Sequence, residues 1–192
     1  MPTPRLLALA GSAREGSWNK KLVAIAADGA REAGAEVSVV DLRDYPMPLL
    51  DLDLEAREGL PETARAFREH MIASDGFLIA CPEHNSSITA LLKNTIDWAS
   101  RQQPGEKPLA CFGDKVAVLM SASPGQLGGL RGLVHVRAIL GTLGMIVLPG
   151  QVAVSSAHEA FAPDGSLRDA KRQESVKKLG ADLAAMVGKL RA

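Results

Sequence analysis

The sequence predicts an α/β domain in which a five-stranded parallel sheet carries helices on both faces. Two features of the 192 residues carry this expectation. Short apolar runs alternate five times with stretches of helical periodicity, the pattern of βαβ units. The runs are continuous rather than alternating apolar with polar, as expected of strands buried on both faces.

The elements follow in order. Leu6 to Ala10 is a short apolar run that ends at Gly11-Ser12, and it reads as the first strand. Leu22, Ile25, Ala26, Gly29 and Ala33 fall at helical spacing, with the helix opening near Ser17 and stopping at Gly34. Val37 to Leu42 reads as the second strand, and residues 43–60, rich in Pro, Asp and Leu, as irregular. A helix over Glu62 to Ala73 and a third strand over Gly76 to Cys81 come next. A polar loop, Pro82 to Thr89, leads into a helix that runs through Ser100. Val116 to Ser121 is the fourth strand, and a Gly-rich loop from Ser123 to Gly132 opens a long helix ending near Gly144. Met145 to Leu148 is the fifth strand, with a possible extension through Val154. In the last helix Val176, Leu179, Leu183, Val187 and Leu190 form one apolar face. No internal repeat, low-complexity tract or linker interrupts the chain, so residues 1–192 read as one domain.

Composition narrows the function classes. Lys+Arg and Asp+Glu balance at 22 each, so net charge gives no pull toward nucleic acid or an anionic membrane. No apolar run approaches the roughly 20 residues of a membrane span. Cys81 and Cys111 both sit in apolar settings, which points to two buried thiols and a reducing cytoplasm rather than a disulfide scaffold.

Polar chemistry collects after strands one, three and four, where open parallel sheets bind ligands. The first of these loops, Gly11-Ser12-Ala13-Arg14-Glu15-Gly16-Ser17-Trp18-Asn19, joins tight-turning glycines to hydrogen-bonding Ser12, Ser17 and Asn19 and the cation Arg14. A helix N-terminus near Ser17 adds a positive end, which together make a phosphate site. The alternative is a plain strand–helix turn with Ser17 as its N-cap. A Walker A loop would need Lys-Ser/Thr where Ser17-Trp18 stands, and Gly11 to Gly16 does not fit G-x-G-x-x-G. Asp41 could serve a ribose or merely cap a loop. A single terminal phosphate suits the first loop best.

These segments resemble the NADPH-dependent FMN reductase family, which includes quinone, chromate and azo-dye reductases. The first loop matches the family's G-S-x-R-x-G-S-x-N. Pro82-Glu83-His84-Asn85-Ser86-Ser87, followed by Leu92-Lys93-Asn94-Thr95-Ile96-Asp97-Trp98, matches its P-E-Y-N-x-S and L-K-N-x-I-D-W segments. Ser123 to Gly129, Leu148-Pro149-Gly150 and Asp164-Gly165-Ser166-Leu167 extend the likeness over nearly the whole chain.

The resemblance implies a flavodoxin-like three-layer sandwich with strand order 2-1-3-4-5. It implies FMN as bound cofactor, with NADPH or NADH as hydride donor. Ser12, Arg14, Ser17 and Asn19 would hold the FMN phosphate, with Trp18 in the same loop. Pro82, Glu83, His84 and Asn85 would line the ring, largely through main-chain groups. Ser121, Gly125, Gly128 and Gly129 would flank the ring and ribityl chain. His84 stands where the family usually has Tyr, so substrate preference is open there.

The implied reaction is ping-pong hydride transfer through flavin N5 to a small acceptor, with no catalytic side chain and no metal. The rivals are a flavodoxin-type electron carrier and an FMN-dependent sensor. Individual residues also have plainer readings: Glu83 as a loop cap, His84 as a solvated histidine, Trp98 as packing, Cys81 as a buried strand residue. Leu91, Leu92, Ile96, Trp98 and Ala99 spread apolar surface around more than one helix face. That spread predicts a homodimer or homotetramer through helix 89–100, with packing under the 43–60 segment as the alternative.

Overall fold

The structure is a computed structural model that describes residues 2–192. Five parallel strands form one sheet in the order β2-β1-β3-β6-β7. They are β1 (Arg5–Ala10), β2 (Glu36–Val40), β3 (Gly76–Ala80), β6 (Val116–Ala122) and β7 (Ile146–Val154). A separate two-stranded hairpin joins β4 (Glu83–His84) to β5 (Ser87–Ile88). Counting only the main sheet, the order is the expected 2-1-3-4-5.

The central strands β1, β3 and β6 are buried almost throughout, as their continuous apolar runs require. The edge strand β2 is shorter than the sequence indicates. It ends at Val40, and Asp41 then accepts a hydrogen bond from the Arg43 N–H to open a single 3-10 turn over Leu42–Asp44. Asp41 is thus a loop cap. The other edge, β7, takes the longer form through Val154, with a register irregularity opposite Ala117 and Leu119 that accommodates Pro149 at the sheet's border.

The helices are α1 (Trp18–Glu32), α2 (Leu52–Glu58), α3 (Glu62–Ala73), α4 (Ala90–Ala99), α5 (Leu130–Thr142), α6 (Ala157–Ala160) and α7 (Ala170–Leu190). Two apolar cores lie on opposite faces of the sheet. One packs α1 and α7 against Leu6, Ala8, Leu78, Val118 and Met120. The other packs α3, α4 and α5 against Leu7, Leu9, Phe77, Ile79 and Leu119. On the first face α1 and α7 touch backbone to backbone. A Cβ at Gly29 would lie 2.1 Å from the Lys177 carbonyl oxygen, and one at Gly180 would lie 1.9 Å from that of Ala26.

Two expectations need correction, and a third point, what covers helix α4, takes the plainer of its two readings. The 43–60 segment contains a helix, α2, whose N-terminus Asp51 caps by accepting from the N–H groups of Asp53 and Leu54. Leu190 is 54% exposed. The apolar face of α7 ends at Val187, which already packs on Gly76 at the start of β3, so the next turn has no sheet beneath it. The second apolar face of α4 is covered by the chain itself. Trp98 is fully buried against Leu60 and Ala64, with Met47 and Leu50 alongside. Its indole N–H donates to the Pro48 carbonyl at 2.7 Å, and the Asn94 side chain bonds the same carbonyl and the Leu50 N–H. Packing under the 43–60 segment therefore accounts for the Trp98 side of α4. Among the described residues no helix is long and apolar enough to cross a membrane.

Candidate functional site

The chain leaves β1 toward β2 and then returns past β1 to lay down β3, so the strand order reverses between β1 and β3. Ala10 pairs with Ala80 and Ala80 with Met120, which brings the loops after these three strands to one level. Such a switch point opens a crevice at the carboxyl ends of the strands. A cavity of about 530 Å³ sits there, within the roughly 300–1,000 Å³ usual for small-molecule sites.

Its first wall is the loop 11–19: Gly11, Ser12, Ala13, Arg14, Ser17, Trp18 and Asn19 all line it. The turn is closed by hydrogen bonds from Gly11 N–H to the Ala80 carbonyl at 2.9 Å and from Ser12 N–H to that of Ala10 at 2.8 Å. The Ser12 hydroxyl accepts from the Arg14 N–H at 3.3 Å. The Arg14 guanidinium donates to the Gly16 carbonyl at 3.1 Å and lies 4.5 Å over the Trp18 ring. A cation–π contact of this kind holds the charge at the rim of the loop.

Ser17 occupies the N-cap position of α1, yet its side chain makes no capping hydrogen bond. The first N–H groups of the helix lack intrahelical partners by construction, and no acid lies in its first turn. The N-terminal end of α1 therefore offers donors and positive potential to the cavity. That arrangement fits a phosphate monoester. Asn19 does different work. Its amide donates to the Ala122 carbonyl at 2.8 Å and accepts from the Ala122 N–H at 2.9 Å, bolting α1 to β6. One amide hydrogen remains for a ligand.

The second wall is the β4–β5 hairpin, through Pro82, Glu83 and His84. Asn85 and Ser86 form its turn at φ 50° and 64°, the left-handed pair that tight hairpins favour. Asn85 lies outside the cavity and lines a neighbouring one of about 450 Å³ together with His84, Ser87 and Lys93. The Glu83 carboxylate turns away from the strands' crevice and accepts from the N–H groups of Arg131 at 3.0 Å and Gly132 at 3.2 Å. It is a cap, and the helix it caps is α5. Cys81 is buried at the end of β3. Burial, with the Glu83 charge adding to it, pushes its thiol up to about 12, which leaves it inert.

The third wall is Ala122, Ser123 and Pro124. Ser123 is tied down by its N–H to the Val154 carbonyl at 3.0 Å. The remaining expected residues of this loop do not line the cavity. Gly125 is exposed, and Gly128 and Gly129 lie behind the wall at φ 62° and 92°. A Cβ at Gly129 would sit 1.9 Å from the Ser121 hydroxyl, so the loop presses directly on that side chain. Ser121 itself is fully buried, and among the described residues its hydroxyl is the buried side-chain polar atom without a partner. Ser121, Gly128 and Gly129 support the wall from behind, and Gly125 lies on the loop's exposed outer part.

Thr89, Ala90 and Leu91 also line the cavity and were not anticipated. Thr89 caps α4 by accepting from the Leu92 N–H at 3.1 Å, and donates to the Gly11 carbonyl at 2.7 Å. Its signal in the sequence is a threonine immediately before an apolar helical run. No cluster of metal-ligating side chains is present among the described residues.

The crevice position, the open helix N-terminus and the walls from three βα loops together define a flavodoxin-like protein whose cavity fits a phosphate-terminated ligand. The model of the NADPH-dependent FMN reductase family matches residues 4–159. An NAD(P)H-dependent FMN reductase of Pseudomonas aeruginosa is 36% identical over 188 residues, covering 97% of each chain. An NAD(P)H:quinone oxidoreductase of Solanum tuberosum is 34% identical over 195 residues, covering 99% of this chain and 96% of its own. Among solved structures, the flavoenzyme NAD(P)H:(acceptor) oxidoreductase FerB of Paracoccus denitrificans superposes with a TM-score of 0.81 at 24% identity, covering 97% of this chain and 98% of that one. A flavodoxin from the Archaea superposes with a TM-score of 0.61 at 12% identity, so the fold alone does not separate reductase from carrier. The chain belongs to the NADPH-dependent FMN reductase family, and is an oxidoreductase of that family.

Proposed function

We propose that the protein binds FMN in the 530 Å³ cavity and uses NADPH or NADH to reduce small oxidised acceptors: quinones, azo compounds, metal oxyanions or free flavin. The observation that carries this reading is the open N-terminus of α1, where the N-cap hydroxyl of Ser17 is left without a helix partner beside Arg14. An ordinary strand–helix turn would use that hydroxyl on its own N–H groups.

When bound, FMN supplies hydride acceptance from the nicotinamide and delivery to the acceptor, in alternation at one pocket. The chain's own residues supply the setting. Ser12, Arg14, Ser17 and the first N–H groups of α1 hold the phosphate, with Trp18 bracing Arg14. The backbone of Pro82 to His84 and the apolar Ala90 and Leu91 form the wall that keeps water from one side. No thiol or carboxylate is free to act as nucleophile there: Cys81 is held protonated by burial, and Glu83 is engaged by α5. His84 is exposed at the mouth, where it meets whatever acceptor enters. Two buried, unpaired cysteines support a reducing compartment such as the cytoplasm.

The electron-carrier reading is disfavoured by the balanced charge of 22 against 22, since flavodoxins tend to be strongly acidic. The test is spectroscopic. The purified protein is expected to be yellow with a flavin absorption profile that NADPH bleaches without oxygen, and added quinone should restore the colour with turnover. A colourless protein that takes up no FMN at saturating concentration overturns the proposal. Bound FMN without NADPH-driven turnover would favour a carrier or sensor.

A further inference from the structure

We propose that Glu83 is a positioning residue: its carboxylate docks the β4–β5 hairpin on the N-terminus of α5 and thereby sets one wall of the cofactor cavity. The proposal rests on the reading of that cavity as the FMN site.

The argument begins at α5, which cannot cap itself. A helix of 13 residues leaves its first N–H groups unpaired and normally takes a side chain from its own N-cap residue. Here the N-cap is Gly129, at φ 92° and with no side chain to offer. Glycine is forced by two conditions, the left-handed backbone and the Ser121 hydroxyl that stands 1.9 Å from where a Cβ would be. The N–H groups of Arg131 and Gly132 consequently turn to a carboxylate 48 and 49 residues earlier in the chain. The Glu83 side chain is 14% exposed in this contact.

The hairpin needs the contact equally. Each of its strands has two residues, far below what holds together alone. It pairs with no strand of the main sheet. Its other ties run to the same helix. The Arg131 guanidinium donates to the Ser86 hydroxyl at 3.2 Å, and His135 Nδ1 lies 2.9 Å from the Ser87 hydroxyl. The hairpin is therefore a graft on α5, and Glu83 is the one tie that also sits in the cavity wall. Its carboxylate fixes the main chain that faces the ligand while its own charge is drawn off into the helix N-terminus.

Three forms of the protein separate this role from direct contact with the cofactor. FMN is titrated into the FMN-free protein by fluorescence quenching, and amide hydrogen exchange is followed over residues 82–89 with no FMN present. Glu83→Ala should weaken FMN binding by about tenfold, in line with loss of a buried cap, and speed exchange in the hairpin. Glu83→Gln keeps an oxygen that accepts both N–H groups, and should recover binding to within about threefold of the unaltered protein. If Glu83→Ala fails to fold, Arg131→Pro against Arg131→Ala decides: both remove the guanidinium's ties to Ser86 and to the Glu83 carboxylate, and proline alone also removes one capped N–H, in the first turn of the helix where proline is tolerated. Arg131→Pro should then show the faster hairpin exchange. Unchanged exchange in Glu83→Ala, or in Arg131→Pro relative to Arg131→Ala, overturns the proposal. So does a Glu83→Gln protein as weak as Glu83→Ala, which would place the charge itself on the ligand. The exchange measurement needs no FMN, so it stands even if the protein binds none.

Discussion

The loop 11–19 and the segment 121–129 leave the same sheet on either side of β3, yet they present opposite chemistry. In the first, polar groups face the cavity: Ser17 caps nothing, the first turn of α1 is open, and Arg14 rests on Trp18 at the rim. In the second, Ser121 is buried without a partner, Gly128 and Gly129 are pressed against β7 and Ser121, and Ser123, which does reach the cavity wall, has its hydroxyl taken by the Gly125 N–H. Both are Gly- and Ser-rich. Composition does not tell a ligand-facing loop from a structural one; the difference is whether the polar atoms are left open to the cavity or buried behind its wall.

The largest test of this contrast is Gly129→Ala. Added strain from a left-handed alanine and overpacking on Ser121 should cost about 3 kcal/mol, a fall of roughly 6–12 °C in melting temperature for a chain this size. A melting curve like that of the unaltered protein would show that the Gly129–Ser121 junction yields to an added methyl group. Arg14→Ala should do the reverse. It should weaken FMN binding about ten- to hundredfold, as for loss of a charged hydrogen-bonding group, while leaving the melting of the FMN-free protein unchanged. Affinity equal to that of the unaltered protein would count against the phosphate assignment.

A pair of caps sharpens the comparison further. Thr89 caps α4 and also bonds the Gly11 carbonyl, so Thr89→Ala should lose about 1–2 kcal/mol of stability. Ser17→Ala should lose almost none, because that hydroxyl caps nothing, but should weaken FMN binding about three- to tenfold. The same stability loss in both variants would erase the distinction. Ser121→Ala is expected to be neutral or slightly stabilising in a thermal melt, with FMN affinity unaltered, since it removes a buried hydroxyl that has no partner.

The smallest effect is a pH dependence outside the cavity. Burial alone would raise the pKa of Asp41, but the hydrogen bonds from Lys20 and from the backbone and side chain of Arg43, with the Lys20 charge, bring it from 3.8 down to about 2. A carboxylate lowered in the folded state contributes stability that is fully present above the unfolded value and lost as pH falls through the folded one. Acid titration should therefore show a loss between pH 4 and pH 2 that Asp41→Asn abolishes, of about 1 kcal/mol given partial exposure. Identical acid curves for the two proteins would remove Asp41 from the account.

Much of this molecule was legible in its residues. Five apolar runs separated by helical periods give the parallel sheet, because burial on both faces leaves a continuous hydrophobic signature within each strand. The loop after β1 declared its chemistry for a similar reason: its donors, its cation and the helix it opens all lie within nine consecutive residues, Gly11 to Asn19. Tertiary structure alone decided which polar groups stay available. Glu83 finds its partners 48 residues away, Asn19 finds Ala122 across 103, and Trp98 is covered by a carbonyl 50 residues earlier. Periodicity and turn chemistry are local properties, whereas hydrogen-bond satisfaction depends on which segments the sheet brings to one level. That is why the same letters, serine and glycine, form a socket after one strand and a sealed joint after another.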